Sequence, residues 1–347
     1  MAGCGIGSYR GWMRSALAWL KLAFKVVLIP AIAVAVCRHF WILLQASPPN
    51  LDDFVFRWEY LLASAMCYLA AHTLWGTFFW QLLRDQGTGL TWFAAIRAYF
   101  VSQVGKYLPG KAWVILLRMM MLRDKNVSAS VVGVCGIYET LTSMAAGAMI
   151  AAMLLPYTGL VPKERIEGGG LERWGVLGVA MLPIGAWLLN RLVVRIARRR
   201  LGPDAKPFPK PSLLRLLQGL VQAAVGWVLL GLGLMLTLKG IHAEPLSIDG
   251  ERAVGLLGAN SVAYIAGFVL LFLPGGLGAR EELLQRMMTE QLKPELGDAA
   301  LPLAIAAALL LRLLWTLAEV VVGLILWFAG RRTTATAVET TEVVHAG

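Results

Sequence analysis

Two Leu-Pro-Gly triplets interrupt apolar sequence, and the basic residues beside them have the chemistry of an anion-binding site. Lys106 and Lys111 flank the first triplet, Arg118 follows it, and Arg280 follows the second triplet. Cationic side chains and backbone amides released by a helix break can together hold a phosphate. The triplets and the next residue add five further positions to the candidate site: Pro109, Gly110, Pro274, Gly275 and Gly276.

A second interpretation of these cations remains open. A charge at membrane depth costs about 3 kcal/mol or more, so it faces a cavity, pairs with a carboxylate or reaches the interface. Reaching the interface or forming a structural ion pair is favoured for Lys106 and Lys111. Anion binding is favoured for Arg280, which lies beside the Pro-Gly-Gly break.

Carboxylates in apolar segments are candidates for ion pairing or proton coupling. Glu139 and Glu319 lie within apolar helices. Glu281 opens the segment after the second triplet and belongs instead to the candidate substrate-binding residues. Arg312 and Glu319 are seven residues apart, which is two turns on one helix face, so both residues can instead line a polar seam. Capping of a helix N-terminus is the alternative role for Glu281.

The sequence predicts no metal site, no cofactor and no catalytic residue. The four cysteines and four histidines have no metal-binding spacing, and no phosphate-binding loop of the ATPase type is present. A membrane glycosyltransferase that uses a lipid-linked donor is one alternative, because Asp52 and Asp53 lie in a predicted outer loop. A non-transporting accessory protein of cell-envelope lipid synthesis is another.

Composition then identifies the elements that must position these residues. The 347-residue chain is 58% hydrophobic and 15% charged, with a mean hydropathy of +0.66, which is typical of a polytopic membrane protein. The length leaves no room for a soluble catalytic domain of ordinary size. The formal charge of +11 resides mainly in loops next to apolar segments, which favours contact with a membrane surface over nucleic acid.

Hydropathy predicts an all-α protein with about six transmembrane helices and two re-entrant helix-break-helix hairpins. Residues 1–25 form a basic amphipathic interfacial segment, 26–330 form the membrane domain, and 331–347 form a disordered cytoplasmic tail. The predicted spans are 26–45, 58–80, 127–155, 174–195, 212–238 and 300–329. The triplets break the segments 92–122 and 253–290, which are the predicted hairpins.

Loop charge predicts the orientation of these elements. The segment 191–215 is strongly basic, so the positive-inside rule places it in the cytoplasm together with both termini. The predicted outer loops are 46–57, 156–173, 239–252 and 291–299. The two hairpins then open to opposite sides, which predicts an inverted repeat over about 58–155 and 212–329.

At the two triplets the sequence resembles the flippase-like membrane domain family. The segments Gly105-Lys106-Tyr107-Leu108-Pro109-Gly110-Lys111 and Leu273-Pro274-Gly275-Gly276-Leu277-Gly278-Ala279-Arg280-Glu281 carry the resemblance, which extends over roughly residues 55 to 330. This family includes the membrane half of lysylphosphatidylglycerol synthases. The chain shows no aminoacyl-transfer domain, so lysyl transfer is not expected.

The resemblance implies a lipid flippase or transporter in the cell (inner) membrane. The expected cargo is an anionic phospholipid, an aminoacyl-phospholipid or a (glyco)lipid-linked phosphate, with its headgroup in a polar cavity between the hairpins. The expected partners are this lipid and either a second copy of the chain or a lipid-synthesis enzyme. Movement would follow a lipid gradient, the membrane potential or protons.

Overall fold

A computed structural model describes residues 54–107, 112–125, 127–160, 211–269 and 278–345, with five single positions outside these ranges. Several predictions therefore lie outside the described residues: the interfacial segment 1–25, the spans 26–45 and 174–195, Asp52 and Asp53, and the triplet residues Pro109, Gly110, Lys111, Pro274, Gly275 and Gly276.

The described chain is all-helical, which confirms the predicted class. Its α-helices are α1 (Trp58–Asp85), α2 (Trp92–Ser102), α3 (Ala112–Leu122), α4 (Ala129–Leu154), α5 (Leu213–Ile241), α6 (Gly250–Val269), α7 (Ala279–Leu296) and α8 (Ala300–His345). Short 3-10 turns at Gln103–Tyr107, Arg123–Lys125 and Leu155–Thr158 extend three of them. The described ranges contain no strand beyond an isolated bridge between Phe54 and His242.

Five helical stretches are long and apolar enough to cross a membrane, which supports a multi-pass membrane protein. They are Trp58–Asp85, Ala129–Thr158, Leu213–Ile241, Gly250–Val269 and Ala279–Ala329. Four of them overlap the predicted spans that fall within the described residues. The other, α6, lies where the sequence predicts one arm of the second hairpin.

An exposed apolar stripe on α5 fits contact with lipid. Its large side chains recur at helical spacing and are 43% to 76% exposed: Leu214, Leu217, Val221, Val225, Val228 and Leu232. A soluble protein rarely exposes such a continuous surface. The stripe therefore supports the assignment of α5 as a membrane-spanning helix.

The opposite side of α5 carries four glycines at intervals of seven residues: Gly219, Gly226, Gly233 and Gly240. Seven residues are close to two helical turns, so these glycines share one face. They lie against Phe78, Trp75, Ser64 and Leu61 of α1 in that order, so the two helices are antiparallel. We call this contact the glycine seam, and it allows α1 and α5 to approach closely.

Segments predicted to lie on the same side of the membrane meet in the fold. Arg215 at the start of α5 binds Asp85 at the end of α1 through two hydrogen bonds of 2.6 and 2.9 Å. At the other end, the backbone N–H of Arg57 donates to the carbonyl of Gly240 at 2.9 Å. Gln291 donates to the carbonyl of Tyr157 at 2.6 Å in that same region.

The helices around each triplet pack on each other. Gly105, just before the first triplet, lies so close to α3 that a Cβ would be 2.7 Å from the backbone nitrogen of Val114. The helices α2 and α3 have 11 residues each, about 16 Å of helix, which is too short to cross a bilayer core of about 30 Å. At the second triplet, α6 precedes the break with 20 residues and α7 follows it with 18.

The last helix, α8, is continuous to His345 and extends beyond residue 330, where the sequence predicts the tail to begin. Residues 331–345 contain no glycine and no proline, so nothing in this segment interrupts the helical hydrogen bonds.

Candidate functional site

A cavity of about 480 Å³ lies where the helices on both sides of both triplets converge. The first broken segment contributes Gln103 and Lys106 before its triplet and Arg118 after it. The second contributes Tyr264, Gly267 and Phe268 before its triplet and Arg280 after it. Helix α4 adds Glu139 and α8 adds Arg312, so the cavity wall is rich in cations.

Arg118 and Glu139 form a buried ion pair on this wall. Arg118 Nη1 donates to Glu139 Oε2 at 2.7 Å, and both side chains are at most 3% exposed. Arg118 Nε donates to Ser102 Oγ at 3.1 Å, and its Cζ lies over the rings of Tyr99 and Phe79 at 4.3 and 4.9 Å. Glu139 therefore pairs with a cation of the first broken segment.

Lys106 and Glu319 form a second pair, which connects the first broken segment to α8. The phenol of Tyr68 donates to Glu319 Oε2 at 2.9 Å and accepts a hydrogen bond from Lys106 Nζ at 3.0 Å. Glu319 is 1% exposed. Lys106 therefore has the structural ion pair that the sequence favours for it, and it also lines the cavity.

Arg312 lies near Glu281, with Nη1 3.4 Å from Oε1. The other oxygen of Glu281 accepts a hydrogen bond of 2.8 Å from the backbone N–H of Gly278 at the start of α7. Glu281 thus combines the capping role with a contact to a cavity cation. Arg312 and Glu319 pair with different partners, although both belong to the polar side of α8.

Arg280 differs from the other cavity cations. The residue is 8% exposed, and among the described residues no carboxylate or hydrogen-bond acceptor contacts its guanidinium. Instead, its Cζ lies over the rings of Tyr264 and Trp315 at 4.2 and 5.3 Å. These rings stabilise the charge through cation–π contacts but accept no hydrogen bond in the guanidinium plane.

An aromatic cluster beside the cavity is absent from the sequence-based site. The ring of His72 lies 4.1 Å from that of Tyr68 and 5.0 Å from that of Trp75. His72 Nδ1 is 3.1 Å from the carbonyl oxygen of Tyr68, so Nδ1 is the donor in this hydrogen bond. The signal for this cluster is the aromatic spacing of three and four residues along α1.

The polar residues before each triplet have different environments. Ser102 donates to the carbonyl of Tyr99 at 2.8 Å and accepts from Arg118. Asn260 is fully buried, and neither atom of its amide has a partner among the described residues. Helix packing therefore accounts for Ser102 but leaves the amide of Asn260 unexplained.

A metal centre does not occur within the described ranges, because no group of three or more His, Cys, Asp or Glu side chains converges there. Cys67 and Cys135 are free thiols. The charges around the cavity are therefore those of ion pairs and of Arg280.

Comparison with known proteins adds no assignment: no family model and no curated protein matches the chain. The resemblance of its two triplet segments to the flippase-like membrane domain family stays a prediction.

Proposed function

We propose that the chain is a lipid flippase or lipid transporter that carries an anionic headgroup through the cavity between its two broken segments. The observation that carries this proposal is Arg280, a buried cation on the cavity wall that has no counter-ion among the described residues. An uncompensated charge at membrane depth is costly, so its retention favours a ligand of opposite charge.

The proposal includes an inverted repeat of two span-hairpin-span units. The antiparallel packing of α1 on α5 supports it, since the first helix of each unit then crosses in the opposite direction. The short α2 and α3 support a re-entrant first hairpin. The contacts at the two ends of the α1–α5 pair join segments that are predicted to share a side of the membrane. The proposal places the protein in a cell membrane with both termini in the cytoplasm.

The cavity chemistry suits a lipid headgroup attached to apolar chains. One part of the wall is cationic and aromatic, and another consists of apolar side chains of α3 and α4: Val114, Ile115, Ile137, Leu141 and Met144. In the proposed mechanism the phosphate binds the guanidinium of Arg280 while the acyl or prenyl chains contact the apolar side. Rocking of one repeat against the other then exposes the headgroup to either leaflet.

Translocation of headgroup-labelled lipids in proteoliposomes tests this function. We would compare the wild type with Arg280→Ala across phosphatidylglycerol, its lysyl derivative and a polyprenyl-phosphate lipid. The matched control is Arg286→Ala on the same helix, since Arg286 is an exposed side chain that pairs with Glu282 four residues away. We expect accelerated movement of one lipid class, lost in Arg280→Ala and retained in Arg286→Ala.

Absence of acceleration over empty vesicles, with folded protein in the bilayer, would contradict the transporter. A membrane enzyme that uses a lipid-linked donor, or an accessory protein of envelope lipid synthesis, would then replace it. Equal loss of transport in both variants would remove Arg280 as the reason for the activity.

A further inference from the structure

The charge balance around the cavity indicates the charge of its ligand. Four cations among the described residues line it: Lys106, Arg118, Arg280 and Arg312. Three carboxylates lie within ion-pair distance of these cations: Glu139, Glu281 and Glu319. Among the described residues, three of the four cations are thus compensated by a carboxylate, and one positive charge is left.

From this balance we infer that the cavity selects a headgroup with one net negative charge, a simple phosphodiester such as that of phosphatidylglycerol. This inference rests on the proposed function and narrows it. Zwitterionic lipids leave the surplus charge uncompensated. Aminoacylated phosphatidylglycerol adds a positive charge, and a pyrophosphate brings more negative charge than the wall compensates.

The geometry places the surplus charge on Arg280. Arg118 and Lys106 each donate to a carboxylate oxygen, and Arg312 lies 3.4 Å from Glu281. Arg280 has only ring contacts to its guanidinium, so its planar N–H groups have no protein acceptor among the described residues. A phosphodiester offers two unesterified oxygens, which match two parallel donors of a guanidinium.

The aromatic surroundings strengthen this selectivity. Tyr264 and Trp315 exclude water where they contact the guanidinium, and electrostatic interactions are stronger where water is excluded. Mobile counter-ions screen a buried charge much less than an exposed one. The ligand's own charge therefore has to match the surplus.

Equilibrium binding tests the inference without requiring transport. The purified full chain in a neutral detergent is titrated with short-chain phosphatidylglycerol, phosphatidylcholine, lysyl-phosphatidylglycerol and phosphatidic acid, with thermal stabilisation as the readout. At pH above the second ionisation, phosphatidic acid supplies a dianion. We expect phosphatidylglycerol to bind the wild type roughly tenfold or more tightly than the other three, the effect of one charge-assisted hydrogen bond.

Two variants shift the balance in opposite directions. Arg280→Gln removes the surplus, and we expect it to bind phosphatidylglycerol no better than phosphatidylcholine. Glu281→Gln raises the surplus by one while its amide oxygen still accepts from Gly278, and we expect its preference to move to phosphatidic acid. Arg286→Gln, on the exposed side of α7, is the control with unchanged preference.

Equal binding of phosphatidylglycerol and phosphatidylcholine by the wild type would overturn the inference. An unchanged preference in Glu281→Gln would overturn it as well. The two proposals fail differently: selective binding without translocation refutes transport but retains the charge match, whereas translocation of zwitterionic or lysyl lipids at the same rate retains transport and refutes the charge match.

Discussion

Removal of Glu139 should destabilise the protein strongly, whereas removal of both Glu139 and Arg118 should not. In Glu139→Leu, Arg118 keeps its hydrogen bond to Ser102 and its contacts with two rings, but it loses its buried counter-ion. Removing one partner of a buried ion pair costs about 3–5 kcal/mol of unfolding free energy. Because Arg118 keeps its other contacts, we expect the lower end of this range, about 3 kcal/mol. Replacing both partners by apolar residues of similar volume is often neutral.

The assay is a double-mutant cycle on the free energy of unfolding, measured in mixed micelles with increasing SDS and followed by tryptophan fluorescence. The variants are Glu139→Leu, Arg118→Met and the combination. We expect the combined variant to lie within about 1–2 kcal/mol of the wild type, so the coupling is at least about 2 kcal/mol. Additive losses would refute the argument, because they would show that the two charges do not compensate each other.

Three other substitutions, with Gly250→Ala as a control, test the helix packing and a surface ion pair. Gly226→Ala places a Cβ against Trp75 and should cost about 1–3 kcal/mol in unfolding free energy, while Gly250→Ala, with nothing within 4 Å of the new Cβ, should be neutral or slightly stabilising. Gly105→Ala, 2.7 Å from the backbone of α3, should lower the melting temperature more than Gly250→Ala. Asp85→Asn should cost less than about 1 kcal/mol of unfolding free energy, because the Asp85 and Arg215 side chains are 32% and 23% exposed. The loss should be smaller still in high salt, and a larger, salt-independent loss would contradict this.

Hydropathy and the positions of helix-breaking prolines and glycines predict the helical class and the positions of several spans. Apolar runs long enough to cross a bilayer are a local property, so the helices that contain 58–80 and 212–238 follow from composition. Charged residues within the predicted spans are found in the same way, because each is a charged residue surrounded by apolar ones in the sequence. The sequence therefore indicates Arg118, Glu139 and Arg280 as members of a site.

Ion-pair partners and aromatic neighbours depend on which helices pack together, and this is not a local property. Glu319 pairs with Lys106 across 213 residues of chain, and no spacing rule connects the two. The ring of Trp315 reaches Arg280 only because α7 and α8 pack side by side. At α6 the sequence predicts one arm of a broken hairpin, whereas the helix has 20 residues, which are enough for a full crossing.

The glycine seam limits how α1 and α5 can move against each other. Its glycines recur every seven residues, about 10.5 Å along α5, and large side chains of α1 pack against several of them. Translation of α1 by one turn, about 5.4 Å, would bring those side chains against residues that carry a Cβ. Sliding along the helix axis is therefore sterically opposed, whereas a small change of crossing angle about the seam is not. The α1–α5 contact can therefore act as a pivot for rotation of one helix against the other. A disulfide between α1 and α5 should leave this change of crossing angle possible.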